Sequence, residues 1–178
     1  MLRELEEQGQ VRRGYFVEGL EGAQFAYAGA IDRLRAGKDD DSGEAPSADG
    51  VVSLPAVDPA NPWGGVLPWP PASNPEEKSP RRVDGAWLIQ VRGRPVLYAS
   101  SRGRRLTTFA DAGERELAVA IDALCRLPRG SRRGLLVVER VDGVAVSQSL
   151  LLNHFLEAGF SSDYRGLVFT GDKTGSAA

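Results

Sequence analysis

The stretch that most constrains this chain is Leu54–Pro70, LPAVDPANPWGGVLPWP, in which Pro55, Pro59, Pro62, Pro68 and Pro70 surround Trp63 and Trp69. Each proline fixes φ and removes a backbone donor, so the stretch is neither a helix nor an interior strand. A stiff segment carrying two large aromatics is costly to leave in water. It therefore reads as an ordered loop that packs on a sheet and is a candidate site. Composition changes sharply on either side of it, and the chain divides here.

Before the loop, residues 2–8 read as the end of an amphipathic helix with Leu2 and Leu5 on one face, closed by Gly9. Val11–Val17 has strand character, Glu18–Gly22 is a turn, and Ala23–Tyr27 is a returning strand, followed by a short helix over Ala28–Arg35. Helix, strand, turn, strand is the second half of a winged-helix module. Residues 36–50, AGKDDDSGEAPSADG, form an acidic flexible linker with nothing to bury. Residues 51–172 make a β-rich module, and residues 173–178 a frayed tail.

Within the β-rich module, Val51–Val57 is an edge strand, and Gly85–Arg92 and Pro95–Ser101 are strands joined by a tight turn at Gly93-Arg94. A third strand covers Arg104–Phe109. Asp111 is positioned to N-cap a helix over Ala112–Leu127, with Leu117, Ile121, Leu124 and Leu127 on one face. Gly134–Val141 reads as one strand, and Asp142-Gly143 is a hairpin turn leading to Val144–Val146. A helix over Ser147–Ala158 and a last strand over Tyr164–Thr170 complete the pattern. The fold class is α+β: a partial winged helix, then a curved-sheet or barrel-like module with two packed helices.

Composition narrows the chemistry. The sequence has one Cys, Cys125, and one His, His154, so an intramolecular disulfide and a Cys-only metal site are excluded. No apolar run reaches the roughly 20 residues of a membrane span, and the N-terminus has no signal-peptide pattern; a cytoplasmic location is expected. The net charge of −2 conceals an uneven layout. Residues 81–140 hold thirteen Arg and no Lys against six acidic residues, whereas residues 36–80 hold two Lys against eight. The basic block reads either as a phosphate-facing surface or as a solvated face in an Arg-rich chain.

The candidate residues follow from these patterns. Arg12 and Arg13 flank a wing strand, and Arg102, Arg104 and Arg105 cluster at a turn, where cations meet phosphates. Arg129, Arg132 and Arg133 cluster at another. Trp63 and Trp69 are candidates for stacking on unpaired bases, or else anchors of the loop to the core. Asp58, held before Pro59, is either a preorganised catalytic carboxylate or the acceptor of an Asx turn. Asp172 is a second acidic candidate. His154 and Cys125 read as packed helix residues. No P-loop and no G-x-S-x-G elbow occurs.

VRRGYFVEGLEGAQFA (Val11–Ala26) and the Pro/Trp loop, followed by VVERVDGVAVSQSLLLNHFLEAGF and RGLVF (Val137–Phe160 and Arg165–Phe169), resemble the C-terminal region of the large helicase-related (Lhr) superfamily 2 helicases. The match covers nearly the whole chain apart from the acidic linker and the tail. The resemblance implies a module that follows two RecA-like ATPase domains and resembles winged-helix DNA glycosylases, in a family linked to DNA repair. ATP and Mg would be bound elsewhere in the full-length family, with no cofactor in this chain. The implied partners are DNA or RNA and a separate motor chain, with no membrane. Walker A, DEAD/DEAH and arginine-finger motifs are absent here, so the chain alone is not expected to hydrolyse ATP. Three roles are open: a nucleic-acid-binding accessory region, a glycosylase-like base-excision module using Asp58 or Asp172, or a truncated remnant exposing Leu2, Leu5 and Phe16.

Overall fold

The computed structural model describes residues 1–33, 50–127 and 135–171, and the chain forms two compact units, Met1–Ala45 and Pro46–Ala178. The first unit opens with α1 (Leu2–Glu7). Gly9, at φ +71°, ends it in a Schellman motif: Gly9 N–H donates to the Glu6 carbonyl and Gln10 N–H to that of Leu5, both at 2.9 Å. β1 (Val11–Gly14) and β2 (Gln24–Tyr27) pair antiparallel, Val11 opposite Tyr27 and Gly14 opposite Gln24. The loop between them is tied by one side chain. Gln24 Oε1 accepts from the amides of Phe16 (2.7 Å) and Val17 (2.8 Å), and Nε2 donates to the carbonyls of Val17 (2.9 Å) and Leu20 (3.0 Å). Residues 30–33 are helical. Leu2 is 47% exposed, while Leu5 and Phe16 are half-buried, Phe16 lying over Gly14.

The second unit contains β3 (Val51–Pro55), β4 (Trp87–Val91), β5 (Arg94–Ser100), β6 (Arg105–Thr108), α2 (Glu114–Cys125), β7 (Leu136–Val138), β8 (Arg140–Val141), β9 (Val144–Ala145), α3 (Leu152–Glu157), β10 (Ser161–Asp163) and β11 (Gly166–Phe169). One sheet runs in the order β3-β4-β5-β6-β8-β9, with β6 and β8 parallel and every other pair antiparallel. A second runs β10-β11-β7. Among the described residues the larger sheet is open, with β3 and β9 at its edges, and it does not close into a barrel. Pro55 sits on the β3 edge, where a missing N–H costs no ladder bond.

Local chemistry moves several boundaries from those the sequence suggests. The β4–β5 turn is Arg92-Gly93, both at positive φ (50° and 76°), and Arg94 pairs with Val91 as part of β5. α2 starts at Glu114 rather than Ala112, because the Glu116 carboxylate reaches back to the Gly113 amide (3.0 Å) and Asp111 remains in the preceding turn. The single strand expected over Gly134–Val141 is two strands in two sheets. The Arg104 carbonyl accepts from both Glu139 N–H (2.8 Å) and Arg140 N–H (3.1 Å), which bulges the chain out of β7 and into β8. The long helix expected over Ser147–Ala158 is a 3-10 turn (Val146–Gln148), an extended Ser149 and the shorter α3.

Strand alternation gives the large sheet two apolar faces. Ile89, Val91, Leu97, Ala99, Leu106 and Val141 lie in one core with Ile121 and Leu124 of α2 and Phe155 of α3. Leu88, Tyr98 and Phe109 form the opposite core with Ala56 and Ala86, and Trp63 and Trp69 pack on it. Helices therefore cover the first face and the Pro/Trp loop covers the second. Of the described helices, none is long and apolar enough to cross a membrane.

Candidate nucleic-acid interface

The Pro/Trp loop is held from inside. Asn61, 2% exposed, donates Nδ2 to the Ala56 carbonyl (2.9 Å), and its Oδ1 accepts from Trp63 N–H (3.1 Å). Arg82 then serves as a staple. One guanidinium nitrogen donates to the carbonyls of Asn61 and Trp63, the other to those of Asp58 (3.0 Å) and Val57 (3.4 Å). Trp69 stacks on Phe109 (centroids 6.3 Å apart, planes 12° apart) and meets Tyr98 edge-on at 5.7 Å. Gly64, at φ +72°, makes room for the indole: a Cβ there would lie 2.2 Å from Trp69 Nε1. Trp63 and Trp69 are thus placed in the packing of the loop onto the sheet. Asp58 Oδ1 accepts from Ala60 N–H at 2.8 Å, an Asx turn.

The Tyr98 hydroxyl donates to the Arg81 carbonyl (2.8 Å) and accepts from Arg81 N–H (3.3 Å). Burial raises its pKa, opposed by the backbone hydrogen bond and the charge of Arg81.

Arg12 and Arg13 are exposed neighbours on β1, so their side chains leave opposite faces of the wing ribbon. In the second unit four arginines, Arg102, Arg104, Arg105 and Arg140, lie at the turn between β5 and β6 and on the paired starts of β6 and β8. Ser101 and Arg102 both adopt positive φ (51° and 58°) in the turn after β5, with Arg102 exposed. Arg104 pairs with Glu139 at 3.4 Å. Arg105 is exposed on β6 beside Arg140 of β8, whose guanidinium turns away to the Gly143 carbonyl (Nε at 3.0 Å). Arg12, Arg13, Arg102 and Arg105 have no carboxylate partner among the described residues. Asp172, Arg129, Arg132 and Arg133 lie outside the described residues.

A second polar group closes the β8–β9 turn. Asp142, at φ +49°, accepts from Thr108 N–H through Oδ1 and from Thr108 Oγ1–H through Oδ2, both at 2.7 Å. Its carbonyl accepts from Asn74 Nδ2 at 2.9 Å, and the Thr108 hydroxyl oxygen lies 2.7 Å from that of Ser73. This node fastens the loop before β4 to the hairpin. His154 places Nε2 3.8 Å from a Glu114 carboxylate oxygen, while Nδ1 is buried without a partner. No cluster of His, Cys, Asp and Glu among the described residues is arranged to hold a metal ion.

Sequence reasoning passed over Tyr164. It is 88% exposed at the tip of the β10–β11 hairpin, in a two-residue turn with Arg165. An isolated aromatic in a polar run gives no periodic signal, and exposure alone singles it out.

A helix, a two-stranded wing and a following helical segment are the class of a winged-helix module, here with a mixed α+β unit. Residues 1–46 match the family described as large helicase-related protein, winged-helix domain. A Mycolicibacterium smegmatis protein named "Lhr helicase/ probable uracil glycosylase" is 41% identical over 174 residues, covering 94% of this chain and 11% of the relative. The Escherichia coli protein named "Lhr helicase/uracil glycosylase" is 36% identical over 169 residues, with the same two coverages of 94% and 11%. The chain belongs to the Lhr helicase family and corresponds to its C-terminal region. It spans about a tenth, 11%, of the length of these relatives.

Proposed function

We propose that this chain is a nucleic-acid-binding accessory region of an Lhr-type DNA helicase acting in DNA repair, with the ATPase motor carried elsewhere. The observation that carries the reading is the set of exposed arginines without carboxylate partners among the described residues, Arg12 and Arg13 on the wing and Arg102 and Arg105 around the turn between β5 and β6. Unpaired guanidiniums on turns and ribbon faces are free to meet phosphates, and binding then releases counterions. The test is binding of the purified chain to fluorescent DNA and RNA strands. Affinity that falls steeply with salt and weakens in the Arg102→Ala/Arg105→Ala double variant supports the reading. Absence of binding at low salt contradicts it.

A second reading, base excision, is favoured by the relatives' names, which carry "uracil glycosylase". Asp58 and Asp172 are its carboxylate candidates, stabilising the developing charge on the sugar of an extruded nucleotide. Asn also makes the Asx-turn bond of Asp58, so Asp58→Asn removes the charge and leaves the turn. Uracil release lost in Asp58→Asn or in Asp172→Asn, with binding intact, assigns the role. Release unchanged in both variants rules out both residues.

A further inference from the structure

We infer that Tyr164, at the tip of the β10–β11 hairpin, is a stacking platform for an unpaired base, which makes the arginine turn linked to its hairpin a single-strand rather than a duplex site. The inference rests on the nucleic-acid reading above and specifies its ligand. Three observations carry it. First, Tyr164 is 88% exposed, on a turn that is held rather than loose: Tyr164 N–H donates to Asp163 Oδ1 at 2.6 Å. Second, its ring is braced. Arg165 Cζ lies 4.9 Å from the ring centroid, and the same guanidinium is anchored 3.8 Å from the Asp163 carboxylate. A cation against an aromatic ring limits the movement of both, so little further order is lost when a base stacks. Third, the hairpin is linked to the arginine turn. Gly166, the residue after the turn, approaches so closely that a Cβ there would lie 2.3 Å from the Val138 carbonyl oxygen and 3.1 Å from Glu139 Cα. Glu139 in turn donates its N–H to the Arg104 carbonyl and takes the Arg104 guanidinium. Gly166 and Glu139 thus link the base of the hairpin to the β-bulge and to Arg104, in the same turn region as Arg102 and Arg105.

Every base has an aromatic face, but in a duplex that face is occupied by its neighbours. An exposed tyrosine on a hairpin linked to a turn whose arginines have no carboxylate partner among the described residues therefore favours strands whose bases are already free. Trp63 and Trp69 do not offer this surface, because both pack on the sheet.

The test uses the full chain and three fluorescent probes of equal length: an oligothymidine strand, a strand with its bases removed, and a duplex. Tyr164→Ala should weaken binding to the oligothymidine strand about ten-fold and leave the abasic strand and the duplex unchanged. Tyr164→Phe and Tyr164→Trp should bind oligothymidine like the parent. Equal binding of oligothymidine by Tyr164→Ala and the parent overturns the inference and leaves the nucleic-acid reading standing. Equal weakening on all three probes also overturns it, because the side chain would then act on the backbone or on folding. A parent that binds none of the probes at low salt overturns both.

Discussion

Removing the Arg82 guanidinium should unfasten the Pro/Trp loop. Arg82 faces four carbonyls, but they do not count equally. The contacts to Trp63 (3.3 Å) and Val57 (3.4 Å) are long, whereas those to Asn61 and Asp58 are full hydrogen bonds. A hydrogen bond to a charged group contributes about 1.5–3 kcal/mol net, and some freed carbonyls at this half-buried site recover water. Arg82→Ala should therefore cost about 3 kcal/mol. Arg82→Lys should recover only part of it, because a single ammonium does not reproduce a planar fork spanning two carbonyls. Urea unfolding followed by tryptophan fluorescence reads this directly, since Trp63 and Trp69 sit in the loop and Trp87 at the other core. A loss below about 0.5 kcal/mol for Arg82→Ala, the range of an ordinary surface change, would refute the reasoning. The tryptophans and Asn61 would then hold the loop.

Other consequences are as specific. Gly64→Ala places a Cβ 2.2 Å from Trp69 Nε1 at a positive φ, so it should lower stability by more than the roughly 1 kcal/mol of an unstrained helical Gly/Ala difference, read as a lower urea midpoint. A midpoint equal to the parent's would contradict the packing described. Asp142→Ala leaves Thr108 N–H without an acceptor and should cost about 2 kcal/mol; an unchanged melting curve would mean the node is not a fastener. Tyr98 has a raised pKa in the folded state, so above pH about 10 the unfolded chain loses this proton first. Stability from this group is complete below that pH and declines as pH rises toward the folded value. Tyr98→Phe should flatten that alkaline decline, and an equal slope in parent and variant would count against it.

How much of this was legible depended on whether the deciding interaction was local. Gly9 and Asp142-Gly143 announce their turns because each needs a positive φ that Gly and Asp tolerate. Arg92 takes the same region with no such signature, which is why the β4–β5 turn was displaced by one residue. The packing of the Pro/Trp loop on a sheet could be read from prolines and indoles, but its staple could not: Arg82 lies 24 residues from Asp58 and is one arginine among many. The break between β7 and β8 was hidden for the same reason. LLVVERV is continuous as an apolar pattern, and the bulge is imposed by the Arg104 carbonyl, from another strand region. Of the candidate site, the basic clusters could be read from charge. Tyr164 could not, because an isolated aromatic in a polar run gives no periodic signal and only its exposure in the fold singles it out.

The most direct test of the central claim is the salt dependence of single-strand binding by the parent chain and the Arg102→Ala/Arg105→Ala variant. Each phosphate contact on a single strand adds about 0.7 to the slope of log affinity against log salt. Two lost contacts should therefore make the variant's slope shallower by about 1.4. Parallel lines, or no binding by the parent at low salt, would show that the arginine turn is only a solvated face.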